Sequence, residues 1–285
     1  MLVNLKEILA IAEKRGNAVG MFNATGFDSL KAVISAAEEL NAPVIIAHAE
    51  VHNVYNDISL VGPAMIAAAK NAKVPVCVHL DHGVSLDMID KALDLGFTSI
   101  MIDASHLSFE ENLKVTKEVT DKAHALGVSV EAELGRLVTS EDGKAQVDNP
   151  EMYYTNEDEA KLFVEKTGVD ALAIAFGTAH GFYKSQPKLS FSVIEKVRKT
   201  TNLPLVMHGG SGVSEEGFKS AIKAGIRKIN YYSYMSMAGY NAAAALISSN
   251  TTKYLQDVEY AAMKAMKEDV KKAIKIFSLK WVKRR

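Results

Sequence analysis

A single cysteine, Cys77, in 285 residues has no partner for a disulfide, so the chain must hold its fold by packing and not by covalent staples. Its setting in the apolar run Val74-Pro-Val-Cys-Val-His-Leu80 predicts a buried small hydrophobe and suits a reducing cytoplasm. An excess of one charge is also missing. The 33 Lys and Arg stand against 34 Asp and Glu, a net charge of −1, so no global field gathers nucleic acid or an anionic membrane. Nowhere do about 18 apolar residues run without a charge. The apolar N-terminus carries Lys6 and Glu7, unlike a secretion signal. These absences predict a cytoplasmic chain whose partner is a small molecule, not nucleic acid or a membrane.

The balance of 48% hydrophobic and 24% charged residues is that of an ordinary globular enzyme and excludes disordered or collagen-like chains. The length fits one large α/β domain over residues 1–285, in which residues 235–285 form C-terminal helices and a basic tail. Eight short β-branched runs start near Val19, Pro43, Val74, Ser99, Val128, Ala171, Leu203 and Lys228, 24 to 43 residues apart. That spacing matches a strand, a crossover helix and two loops. Between the runs the pattern turns helical: Leu30, Val33, Ile34, Ala37 and Leu40 fall at i, i+3, i+4 spacing. Ser214 ahead of Glu215 and Glu216 predicts a helix start, and Gly96, Gly127, Gly168 and Gly225 predict helix stops.

Most of the strands are apolar on both parities, as in a parallel sheet covered on both faces. Eight βα units predict a (β/α)8 TIM barrel with an N-terminal helix, and a doubly wound open sheet is the alternative that periodicity leaves standing. Leu5, Ile8, Leu9 and Ala12 lie on one face of that N-terminal helix, placed to plug the barrel bottom. Met235–Ser248 and Lys253–Phe277 read as helices, and 135–155 as the longest interruption.

Barrels of this kind carry their chemistry at the C-terminal ends of the strands. Those ends hold Asn23, His48 and Glu50, Asp81 and His82, Asp103, Glu133, His180 with Gly181, His208, and finally Asn230 with Ser233. His82, His180 and His208 together suggest a tri-histidine metal centre with an open position, zinc first. Asp103 and Glu133 offer oxygen ligands for a second or alternate metal position, or else cap the rim. Asp81 suits general acid or base work, or orients a histidine. Gly209, Gly210 and Ser211, with Gly181, Asn230 and Ser233, read as a phosphate cradle, since glycines admit a ligand close to the backbone.

His79-Leu-Asp-His-Gly83, Val130-Glu-Ala-Glu-Leu-Gly135, Gly177-Thr-Ala-His-Gly181, His208-Gly-Gly-Ser-Gly212 and Lys228-Ile-Asn230 occur in this order. Together they resemble the class II, metal-dependent fructose-bisphosphate and tagatose-bisphosphate aldolases. The resemblance implies a lyase that splits a ketose phosphate into dihydroxyacetone phosphate and an aldehyde through a zinc-stabilised enediolate. It implies zinc on His82, His180 and His208, with Asp103 and Glu133 at an alternate position. Another divalent metal could serve in zinc's place, and a monovalent cation could sit by the phosphate. By the same resemblance Asp81 serves the C4 hydroxyl and Glu141 takes a proton from dihydroxyacetone phosphate. Substrate contacts fall to Asn23, Gly181, Gly209, Gly210, Ser211, Asn230, Tyr231, Tyr232 and Ser233, and the assembly is expected to be a homodimer or homotetramer.

Two segments depart from the family pattern. Asn230-Tyr-Tyr-Ser233 stands where the family has Asn-x-Asp-Thr, and Ala47-His-Ala49 where it has Gln-x-Ser, followed by Glu50-Val-His52. Both point to a substrate preference other than fructose 1,6-bisphosphate, with a monophosphorylated or otherwise altered ketose as the natural candidate. The competing readings are a non-catalytic aldolase-like subunit and a metal-dependent sugar-phosphate hydrolase on the same fold.

Overall fold

The computed structural model describes residues 1–135, 138–139, 153–181 and 187–279; for Val138, Thr139 and His180 it describes the backbone alone. Eleven strands are present among the described residues: β1 (Leu2–Val3), β2 (Val19–Asn23), β3 (Val44–Ala49), β4 (Val76–Gly83), β5 (Ser99–Ile102), β6 (Ser129–Leu134), β7 (Val138–Thr139), β8 (Ala171–Ile174), β9 (Ala179–His180), β10 (Leu205–Met207) and β11 (Ile226–Asn230). Eight of them run parallel in the cyclic order β2-β3-β4-β5-β6-β8-β10-β11, and β11 pairs back onto β2 through Lys228 and Val19. The sheet therefore closes, which decides for the barrel over the open sheet. All eight expected strands are present, with starts shifted by no more than two residues.

Period-two alternation divides the packing into two layers. Inside the barrel, Val19, Met21, Ile45, Ala47, Cys77, Ala171, Ala173 and Val206 form one cluster with Leu5, Ile8, Leu9 and Ala12. The helix Leu5–Arg15 thus closes the barrel bottom, stopped by Gly16 in the left-handed conformation and started by a capping box between Asn4 and Glu7. Burying Leu5, Ile8 and Leu9 there contributes roughly 1.5–3 kcal/mol each. Opposite-parity residues such as Phe22, Val44, Ile46, Val78, Leu80 and Ile100 pack under the surrounding helices.

Towards the C-terminal strand ends the inward parity turns polar: Asn23 follows Met21, Asp81 follows His79, Glu133 follows Glu131, and Asn230 follows Lys228. One feature goes beyond the sequence reading, and the two expected C-terminal helices are present. β7 and β9 pair in parallel as a small second sheet above the barrel. The C-terminal helices span Ser233–Ser249 and Leu255–Phe277, and Phe277 packs against the barrel beside Phe218 and Tyr231. No helix among the described residues is long and apolar enough to cross a membrane.

Candidate active site

Adjacent residues of a regular strand face opposite sides, so Asp81 and His82 should not share a site. They do because β4 slips against β5: Leu80 pairs with Ile100, but Gly83 pairs with Ile102. The extra residue is absorbed at His82, whose φ of 44° lies in the left-handed region that few non-glycine residues enter. Gly83 makes the slip feasible, since a Cβ there meets the Met101 carbonyl at 2.7 Å. Backbone strain of order 1–3 kcal/mol is held at this point, and it presents both side chains at the rim.

Around that bulge the polar groups interlock. His82 donates from Nδ1 to Asp103 Oδ2 at 2.6 Å. His208, just beyond β10, donates from Nε2 to Glu131 Oε1 at 2.9 Å. With those nitrogens engaged, His82 Nε2 and His208 Nδ1 face each other at 2.9 Å. Ligand atoms of Asp81, His82 and His208 lie within 4.8 Å of one another, as do those of His82, Asp103 and Glu133. His180 ends β9; its side chain, like Glu141, lies outside the description.

The donor set suits a divalent cation. Glu133 Oε2 is buried without a hydrogen bond. Burial, and then Asp103 beside it, push the Glu133 carboxyl up to about 8. Burial opposes protonation of His82, but Asp81 and Asp103 outweigh it and raise the imidazole to about 9. The cluster therefore holds protons near neutrality in places where a cation would satisfy the same carboxylates. Asp81 behaves differently: burial works against its ionisation, yet His82, His208 and Lys228 hold it well below the usual carboxylate range. Its two oxygens accept from Asn23 Nδ2 at 2.9 Å and from Asn230 Nδ2 at 3.1 Å. This is a carboxylate kept ionised and fixed in orientation.

A cavity of about 280 Å³ opens over this cluster, lined on one side by Asn23, Asp81 and His82 and on the other by Gly181, Gly209, Gly210, Ser211 and Ser233. Gly209 has φ 64°, and a Cβ there meets the Ala179 carbonyl at 2.2 Å, so only glycine carries the chain over β9. Ser211 Oγ accepts from Tyr232 N at 3.2 Å and ties the loop after β10 to the exit of β11. The helix Ser233–Ser249 begins at this wall, and its cap residue Tyr232 supplies no side-chain acceptor. An uncapped helix N-terminus at a glycine-lined wall favours an anion.

A family model for class II fructose-bisphosphate aldolase matches residues 3–280. The chain belongs to the class II fructose-bisphosphate aldolase family. Members of this family are carbon–carbon lyases that cleave a ketose bisphosphate to dihydroxyacetone phosphate and an aldehyde. The chain is 41% identical over 283 residues to the fructose-bisphosphate aldolase of Staphylococcus aureus strain Mu50, across 97% of each chain. It superposes on the crystal structure of the YdjI aldolase from Escherichia coli K12 with a TM-score of 0.85 and 38% identity, over 97% of each chain. A putative fructose-1,6-bisphosphate aldolase from Coccidioides immitis gives 0.84 and 29%, over 96% of each chain.

The structure places the residues of the two segments that depart from the family pattern. Tyr231 lines the cavity and also packs its ring 6.0 Å from the Phe22 ring and 6.1 Å from that of Phe277. Tyr232 lines it as well, and its ring centroid sits 4.8 Å from that of His52. Glu50, one of the unusual residues after β3, is a cap: its carboxylate accepts from Val84 N, Ser85 N and Ser85 Oγ at the start of the helix Leu86–Asp94. His52, Glu131 and Lys228 were not read as site residues. For Glu131 and Lys228 the signal is a charge at inward parity, two residues below a rim residue on the same strand; His52 follows the strand-three end in a 3-10 turn and has no such mark.

Proposed function

We propose that this chain is a zinc-dependent aldolase in which Asp81 moves the proton at the substrate hydroxyl next to the breaking carbon–carbon bond. The observation that carries this reading is Asp81 itself, an ionised carboxylate clamped by Asn23 and Asn230 beside the two facing histidine nitrogens. His82 and His208, with His180 from β9, are the ligands we assign to zinc, and Asp103 and Glu133 are the alternate oxygen set. When bound there, zinc supplies positive charge beside the substrate's carbonyl oxygen as the bond breaks. Asp81 takes the hydroxyl proton during cleavage and returns it during condensation. Glycines 181, 209 and 210, Ser211 and the helix N-terminus at Ser233 bind the phosphate of the dihydroxyacetone half. Glu141 takes its proton-abstracting role from the family resemblance alone.

The far end of the cavity supports a preference displaced from fructose 1,6-bisphosphate. Its described lining contains neither Lys nor Arg, and Tyr232 and His52 form its aromatic wall. Burial lowers the His52 imidazole pKa, so that wall is neutral near pH 7. A neutral aromatic wall suits sugar hydroxyls better than a second phosphate. The test is dihydroxyacetone phosphate release from fructose bisphosphate, tagatose bisphosphate and ketose monophosphates, with and without chelator. No release from any of them refutes the aldolase reading, and a kcat/KM for fructose bisphosphate tenfold above all others refutes the displaced preference.

A homodimer or homotetramer is the assembly we infer. The helix Ser233–Ser249 contains no charged residue over 17 residues and exposes Met237, Tyr240 and Ile247, beside Leu255 and Tyr260 of the next helix. An apolar surface of that kind is characteristically covered by a second chain. Sedimentation showing a monomer at micromolar concentration would refute this.

A further inference from the structure

Lys228 is fully buried inside the barrel, where an unpaired ammonium is very costly. Its Nζ lies 3.0 Å from Glu131 Oε1 and 2.8 Å from Glu131 Oε2, and it donates to Asn230 Oδ1 at 2.8 Å. β6 and β11 are not neighbours in the barrel, so this contact crosses its interior. Both partners lead onward to the reacting groups. Glu131 accepts from His208 Nε2, which directs His208 Nδ1 towards His82. Asn230, with its Oδ1 taken by the ammonium, has only its NH2 group left to offer Asp81, at 3.1 Å.

We propose that Lys228 is a positioning residue that sets two things at once: the tautomer of His208, through Glu131, and the amide orientation of Asn230 on Asp81. The inference rests on the roles assigned above to His208 and Asp81. If the ammonium is removed, Asn230 can rotate its carbonyl towards Asp81, where two acceptors repel. Glu131 loses the charge that holds it under His208. A residue serving stability alone would have no reason to bond both routes, and Lys228 is fully buried outside the lining of the cavity. Its covalent participation is excluded by the same geometry, since all its donors are engaged below the rim.

The test begins with wild type loaded with zinc. If it binds no zinc, the proposed function fails before the inference is reached. If it binds zinc, nitrogen-15 NMR of labelled histidine should show His208 protonated at Nε2, and a His208 protonated at Nδ1 overturns the proposal. In Lys228→Met, competition with a chromophoric chelator should show zinc affinity lowered about 10- to 100-fold, the usual effect of disturbing a group that orients a ligand. The zinc-saturated variant should lose kcat at least about tenfold with KM changed by less than about threefold, the split expected when orientation and not binding is lost. Glu131→Gln should weaken zinc while its zinc-saturated kcat stays closer to wild type, because Lys228 still holds Asn230. Should Lys228→Met fail to fold, the double variant Glu131→Gln/Lys228→Met removes both charges and is read in the same way. A folded variant lacking Lys228 with zinc affinity and kcat within about twofold of wild type overturns the proposal.

Discussion

His82 Nε2 and His208 Nδ1 face each other at 2.9 Å, each ring held from behind by a carboxylate, Asp103 for one and Glu131 for the other. Two basic nitrogens at that separation must share a proton or a cation. His208→Ala should therefore abolish stoichiometric zinc binding, and chelation of wild type should abolish turnover that added zinc restores. The pH dependence has a definite sign. His82 is raised to about 9 and Glu133 to about 8, so both hold protons at pH 7 in the metal-free chain and must release them to bind metal. Zinc affinity should rise from pH 6.5 to pH 8.5 with measurable proton release in calorimetry; a flat dependence would count against this donor set.

Asp81→Asn keeps the shape of the side chain but cannot accept the proton. Turnover should fall about 10²- to 10⁴-fold, the usual range for a lost general base, with zinc content unchanged. Loss of zinc in the variant would instead make Asp81 a ligand.

Tyr232 leans on His52, and by the family resemblance it stands where a carboxylate is usual. Tyr232→Asp restores an anionic acceptor whose hydrogen bond to a sugar hydroxyl is worth about 1.5–3 kcal/mol. At about 1.4 kcal/mol per tenfold, kcat/KM for fructose bisphosphate should rise about tenfold or more relative to a ketose monophosphate. An unchanged ratio would remove Tyr232 from the specificity determinants.

Gly209→Ala drives a Cβ against the Ala179 carbonyl at a left-handed φ. The loop must move, and KM for the phosphorylated substrate should rise about tenfold, with a stability loss of about 1–3 kcal/mol by thermal melting. A variant with wild-type KM would show that the cradle lies elsewhere.

Cys77 lies inside the barrel, and burial pushes its thiol up to about 12. The reactive thiolate is therefore scarce at pH 8 as well as inaccessible. Thiol titration with a disulfide reagent should find no fast-reacting group in the native protein and one after denaturation. Rapid labelling of the native protein would contradict the burial.

The eight barrel strands and their order of appearance, the plugging face of the first helix, and the polar residues at the strand ends are legible in the sequence alone. They depend on local regularities: period-two and period-3.6 hydrophobicity, caps such as Ser214, and glycine stops such as Gly168 and Gly225. Tertiary structure alone decided what those residues do together. Asp81 and His82 meet because β4 slips a residue against β5, and a slip belongs to the pairing of two strands, not to either one. Glu131 finds Lys228 only when the sheet closes and sets β6 and β11 facing across the interior. Tyr231 and Tyr232, between the end of β11 and the helix start at Ser233, both line the cavity, but one ring meets Phe22 and Phe277 and the other meets His52, partners that only the tertiary fold supplies. Local pattern records which face a residue favours, whereas long-range closure chooses its partner, and buried charge is stabilised by its partner.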